Sequence, residues 1–246
     1  MIDSRSIRHP RSTIRVFAAA AFLLVAAASP AIAGEAEWKM LYEQSGAHLQ
    51  RGDVVQAELF AREALREADA SLGESRATEL SLLRAAHVLR VRGKAEEALP
   101  LAERAVKIST KLHGAGSPNT GLALQNQAEV QSALKRYGAA EALHQKALAI
   151  YLKAYGEQHL VTAVSLHNIG AMLYAQDKNK EAEKYLRRAL AVKDKVLKPG
   201  NMSIAHTLDQ LSVVLGAQGR DIEAARYKKR ADGIRTRAQQ QKPATS

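Results

Sequence analysis

No cysteine occurs in the 246 residues, which excludes disulfides, thiolate metal sites, cysteine nucleophiles and a lipid-modified N-terminal cysteine. Aromatics are scarce at 4%, with 3 Phe and 1 Trp. An all-β sandwich or barrel draws on more aromatic and β-branched residues than that, so an alanine-rich chain such as this one favours helices. Hydrophobic residues at 46% and charged residues at 25% are ordinary for a globular chain and exclude wholesale disorder. There is no G-x-x-x-x-G-K-[ST] phosphate loop, no H-E-x-x-H and no G-x-S-x-G. Beyond residue 33 no apolar run approaches the length of a membrane span.

What is present begins with an address. Arg5, Arg8, Arg11 and Arg15 stand against the single acid Asp3, then an apolar run extends from Val16 to Ala28. Pro30 breaks it and Ala31-Ile32-Ala33 supplies small residues at the two positions a signal peptidase reads. Residues 1–33 therefore read as a secretory signal peptide cleaved after Ala33, leaving Gly34 as the new N-terminus. As a helix the apolar run would rise only ~20 Å, short of the ~30 Å hydrocarbon core, which argues against an uncleaved anchor. Export across the inner membrane into a bacterial periplasm is the expected destination, with no transmembrane span in the mature chain.

The remainder repeats itself. Alanines at 57, 98, 140, 182 and 224 end five related segments, and a second set follows seven residues later at Ala64, Ala105, Ala147, Ala189 and Ala231. Leu41, Leu82, Leu124, Leu166 and Leu208 form a third column. The period is 42 residues, shortened once because Gly73 to Thr78 is one residue shorter than Gly114 to Thr120. Within a unit the apolar spacing is helical: Leu166, Ile169, Gly170 and Leu173 fall at i, i+3, i+4 and i+7. A second helix in that unit turns Ala182, Tyr185, Ala189 and Leu190 inward. Small residues at Ser45, Ala86, Ala128, Gly170 and Ser212 let the two helices approach closely. Repeats of this size bury their apolar faces by stacking on neighbours.

The run His159-Leu160-Val161-Thr162-Ala163-Val164-Ser165-Leu166-His167-Asn168-Ile169-Gly170, continued by Lys180-Glu181-Ala182-Glu183-Lys184-Tyr185-Leu186-Arg187-Arg188-Ala189-Leu190, resembles the tetratricopeptide-repeat family in its 42-residue kinesin-light-chain-type form. Departures are Lys135 and Asp177 where the turn glycine is usual, which puts local turn geometry in question, and a turn aromatic kept only as Tyr137. The resemblance implies an all-α fold: a right-handed superhelical solenoid of about five antiparallel helix pairs. The repeat domain spans residues 34–238, with units near 36–76, 77–118, 119–160, 161–202 and 203–238, and 239–246 form a tail. It also implies a concave face lined by first helices that commonly binds a peptide or protein.

Chemistry is sparse. The histidines of the repeats do not pair at i+3 or i+4 and the carboxylates sit on repeat surfaces, so neither a metal site nor an enzyme is expected, and no cofactor. The family geometry puts Arg84, His87, Arg90, Gln125, Asn126, Glu129, His167, Asn168, Tyr174 and Asp209 on the groove, with Glu43 and Gln210, and apolar Ala171, Ala175, Val213 and Ala217 in its second half. Asn126 and Asn168 could bond a bound peptide's backbone or, equally, neighbouring helices. Arg84 and Arg90 around His87 could receive a carboxylate. Residues 176–246 hold 16 basic against 8 acidic side chains, densest at Arg226, Lys228, Lys229, Arg230, Arg235 and Arg237. That density reads either as a polar outer face closing the array or as a surface for an anionic envelope polymer or lipid. Nucleic acid is not expected as a partner of an exported chain whose basic stretch holds a single aromatic, Tyr227. The leading reading is an exported scaffold binding a protein or peptide without turnover; the alternative is an anionic-surface protein using the basic C-terminal third.

Overall fold

The computed structural model describes residues 30–240, with side chains from Gly34 onward. Ten helices fill this span and no strand occurs among the described residues. They fall into five pairs: α1 Pro30–Gln50 with α2 Val54–Ser71, α3 Arg76–Val91 with α4 Ala95–His113, and α5 Pro118–Ala133 with α6 Tyr137–Tyr155. α7 Leu160–Tyr174 pairs with α8 Asn179–Val196, and α9 Met202–Gly216 with α10 Asp221–Gln240. Residues 1–29 of the expected signal peptide lie outside the described residues, and α1 runs across the expected cleavage point between Ala33 and Gly34. α10 continues to Gln240, two residues into the expected tail.

Each pair turns through the same backbone device. Gly52, Gly93 and Gly219 have φ of 79°, 76° and 73°, and Lys135 and Asp177 take the same left-handed conformation at 59° and 58°. The next residue donates its N–H five positions back, as in Lys94 to Leu89, Arg136 to Gln131 and Lys178 to Leu173, closing the carbonyls of the finished helix. The turn geometry questioned at Lys135 and Asp177 is therefore conserved through all five units. What those two side chains add is the left-handed steric cost that glycine avoids. Between units the first helices α3, α5, α7 and α9 start on a side-chain cap, from Ser75, Ser117, His159 and Asn201. Thr120 and Thr162 each donate at 2.8 Å to the carbonyl of the glycine that ended the previous unit, Gly114 and Gly156, and Thr78 does the same to Gly73.

Packing follows the columns. The seven-residue-spaced alanines are buried in every unit, from Ala57 and Ala64 to Ala224 and Ala231. Leu82, Leu166 and Leu208 are fully buried, while Leu41 and Leu124 are only half-buried. One contact sets the limit on size: a Cβ at Gly170 would lie 2.6 Å from Leu186 Cγ. The leucine and the glycine are complementary, since the equivalent of Leu186 in the second unit is Ala102 and faces Ala86. The largest contiguous core joins the last three units from Ala140 to Ile234. Smaller clusters around Leu82 and Leu89 hold the earlier ones.

Candidate partner-binding surface

Stacking leaves one face of the first helices without a partner helix. Its positions recur at steps of four, three and four residues, which track one side of a helix. In α3 they are Leu80, Arg84, His87 and Val91; in α5, Leu122, Asn126, Glu129 and Ala133; in α7, Val164, Asn168 and Ala171 with the C-cap Ala175; in α9, His206, Gln210 and Val213 with the C-cap Ala217. Leu122 and Val91 lie open at its borders, 45% and 47% exposed. The centre is polar in the second and third units and turns to Ala171 and Val213 further on.

That polar centre is already wired between units. Arg90 holds Glu129 at 3.0 Å and lies 3.2 Å from His87 Nδ1. Asn168 donates its amide to Glu129 Oε1 at 3.0 Å, and Asn126 donates to the Leu83 carbonyl at 3.3 Å. The Arg84 guanidinium sits over the Tyr42 ring, 4.6 Å from its centroid. Of the two roles left open for the asparagines, the bond to a neighbouring helix is thus made by both. Two capacities stay unmet among the described residues: Arg90 Nε as donor and Asn126 Oδ1 as acceptor are buried without a partner. Burial raises the Glu129 carboxyl above the usual range, against the opposing pull of Arg90 and Gln125. Burial also lowers His87, helped by the charges of Arg90 and Arg84.

The other expected groove residues are placed differently. Gln125 is buried, Tyr174 packs its ring against the large core, and Glu43 is exposed. His167 points at the joint with the fifth unit, where its Nδ1 lies 3.2 Å from Thr207 Oγ1. Lys193, 3% exposed, reaches the same hydroxyl at 2.8 Å and the Ser203 carbonyl at 3.3 Å. Burial, with the nearby Lys193 and His206, drops His167 to about 4, and burial drops Lys193 to about 8. Lys193 and Thr207 were not singled out from the sequence, since a lysine and a threonine on amphipathic helices carry no signal of burial.

Asp209 is engaged in ion pairs at the end of the array. It stands one repeat beyond His167, so it faces the end of the array rather than the open face. There it pairs with Arg235, and with Lys228 at 3.3 Å. Lys228 and Arg235 also pair with Asp232, at 3.3 and 2.8 Å. In the fourth unit the positions of Lys228 and Asp232 are Leu186 and Leu190, which receive the next unit. A charge cluster thus replaces the apolar docking site, and α10 closes the solenoid. Arg230 is engaged too, in a two-pronged pair with Asp194 at 2.6 and 2.9 Å. Of the six expected basic-patch residues, only Arg226, Lys229 and Arg237 lack a carboxylate partner among the described residues.

Comparison with known proteins agrees with this architecture. The tetratricopeptide-repeat family model matches residues 77–153, 132–195 and 161–231. No protein of curated function matches by sequence. Among solved structures, BtubC (BKLC) from P. vanneervenii is similar at 25% identity and a TM-score of 0.63, over 82% of this chain and 81% of that one. A kinesin-light-chain protein of nearly identical TPR-like repeats from Podosopora anserina matches at 21% identity and 0.64, over 87% and 99%. A Rap protein complexed with Competence and Sporulation Factor matches at 17% identity and 0.69, over 80% of this chain and 54% of that one.

Proposed function

This chain belongs to the tetratricopeptide-repeat family, whose members are typically protein-interaction scaffolds and generally not catalysts, and on that premise we propose that it is an exported scaffold whose first-helix face holds an extended segment of a partner protein. The observation that carries this reading is the open stripe running through α3, α5, α7 and α9, polar at its centre in the second and third units and bordered there by exposed Leu122 and Val91. An extended peptide needs both kinds of contact: apolar borders for side chains and hydrogen-bonding groups for a backbone that loses its water. Asn126, whose Oδ1 keeps an unmet acceptor capacity, lies on this stripe beside the Arg90–Glu129 pair. No step of chemistry is assigned to the site. Export rests on the basic, apolar and A-x-A succession of residues 1–33.

A photo-crosslinking amino acid placed at Leu122 tests the face, with the exposed Lys107 of α4 as control position. Discrete adducts in the cell envelope at Leu122, absent at Lys107, are expected. Adducts at Lys107 alone, or equally at both, would overturn the assignment of the face. N-terminal sequencing of the chain from the periplasm is expected to begin at Gly34; an intact Met1 there would overturn the leader.

A further inference from the structure

The basic residues of the last two units sort into those that close the array and those that remain free, and the free ones share a surface. On α10, Arg226, Lys229 and Arg237 recur at the spacing of one helical face, together with Ile222, Gly233 and Gln240. One repeat earlier the same positions on α8 are Lys184, Arg187 and Lys195, with Lys180 in the place of Ile222. The two helices are cross-linked at their sides: Arg187 reaches the Tyr227 hydroxyl at 2.6 Å and pairs with Glu223, and Arg230 holds Asp194. Their outward rows therefore lie side by side, about 10 Å apart as neighbouring helices do. Lys180, Lys184, Lys195, Arg226, Lys229 and Arg237 are all exposed, and none has a carboxylate partner among the described residues. The acids between the two rows are engaged, Glu223 by Arg187 and Arg220 and Asp194 by Arg230, and Glu181 and Asp221 flank the face. At about 1.5 Å per residue, the α8 row extends ~22 Å.

Elsewhere on the second helices this face is different. The same positions read Gly138, Ala142, Gln145, Ala149 and Lys153 on α6, and Glu96, Pro100, Glu103, Lys107 and Lys111 on α4. The charge is local to units four and five, on the side of the molecule away from the first-helix stripe.

We propose that the outward face of α8 and α10 docks on an anionic phospholipid surface. The cations are spread over two rows rather than converging on one point, and four of the six are lysines, point charges without the fixed fork that grips a single phosphate. They suit a plane of diffuse negative charge, where each Lys or Arg adds to the attraction. Ile222, 77% exposed at the rim of the face, supplies an apolar side chain able to enter the headgroup boundary. This contact leaves the first-helix stripe uncovered, so surface attachment and partner binding can coexist.

Vesicle sedimentation of the whole repeat domain from Gly34 to the C-terminus tests it, with vesicles of neutral phosphatidylcholine and with the same lipid containing about one-third phosphatidylglycerol. The patch variant carries Lys184→Gln, Lys195→Gln, Arg226→Gln and Lys229→Gln. A charge-matched control carries Lys39→Gln, Arg51→Gln, Lys146→Gln and Lys153→Gln, four exposed cations outside the patch. All three proteins begin at Gly34, because a retained leader with Arg5, Arg8, Arg11 and Arg15 before an apolar run would itself bind anionic vesicles. The expected result is binding to the anionic vesicles that falls with salt, drops at least tenfold in the patch variant and at most twofold in the control. Equal losses in the two variants would reduce the effect to net charge and overturn the proposal. So would equal binding to neutral and anionic vesicles, no binding to either, or tighter binding to soluble polyphosphate than to vesicles at the same phosphate concentration.

Discussion

Gly170 and Leu186 offer a test of how the repeat columns set helix spacing. A methyl group added at Gly170 meets Leu186 Cγ at 2.6 Å, Leu186 Cδ2 at 3.0 Å and the Ala182 carbonyl at 3.2 Å. Both sides are fixed, because Leu186 is fully buried and the carbonyl belongs to α8. Overpacking of this kind costs about 1–3 kcal/mol, against about 1 kcal/mol returned by alanine's better helix propensity. Gly170→Ala alone should therefore lower stability by up to about 2 kcal/mol. Leu186→Ala alone should cost about 2–5 kcal/mol through the cavity it leaves opposite a residue with no side chain. The double variant recreates the Ala86 and Ala102 pair of the second unit, where both residues are buried. There the new methyl fills part of the cavity, and the two changes should be coupled favourably by about 1–3 kcal/mol. Denaturant melts of the four proteins measure the cycle. Amide exchange in α7 and α8 reads the same quantity locally, since repeat arrays can open piecewise. Additivity within about 0.5 kcal/mol would refute the reasoning.

Lys135→Gly should stabilise by about 0.5–1 kcal/mol by removing a side chain from the left-handed turn, a gain read as a higher melting temperature; Asp177→Gly should gain less because aspartate tolerates that conformation better. His144 and His167 are both held near 4 by burial, so the unfolded chain binds protons there first. Their contribution is complete above pH 6.5 and is lost as pH falls toward 4, by an upper figure of about 3 kcal/mol each; His144→Leu should flatten that slope in melts between pH 7 and 4.5. Lys228→Leu with Asp232→Leu restores the apolar pattern of Leu186 and Leu190 at the open end, and concentration-dependent self-association by light scattering is expected where the parent is unaffected. Asn126→Ala with Asn168→Ala removes two inter-unit bonds, at about 1 kcal/mol apiece, so a lowered melting temperature is expected; an unchanged one would show that these amides do not brace the stack.

Much of the architecture was legible because it is periodic. A 42-residue repeat of leucine, small residue and paired alanines leaves few ways to bury its faces, and those columns alone identify ten helices in five stacked pairs. The expectation that Arg84, His87, Asn126 and Asn168 line a groove came from the family resemblance rather than from the period. Tertiary structure decided what each of them touches. Asn126 bonds Leu83, Asn168 bonds Glu129, Asp209 turns to Arg235, and Lys193 reaches Thr207, all across joints that sequence spacing leaves undetermined. The division of the basic C-terminal residues was equally hidden. Lys228, Arg230 and Arg235 find carboxylates, while Arg226 and Lys229 on the same helix find none. Helical period assigns a side chain to a face, but whether that charge is neutralised depends on which partner the stacked neighbour, or the missing one, brings within about 4 Å.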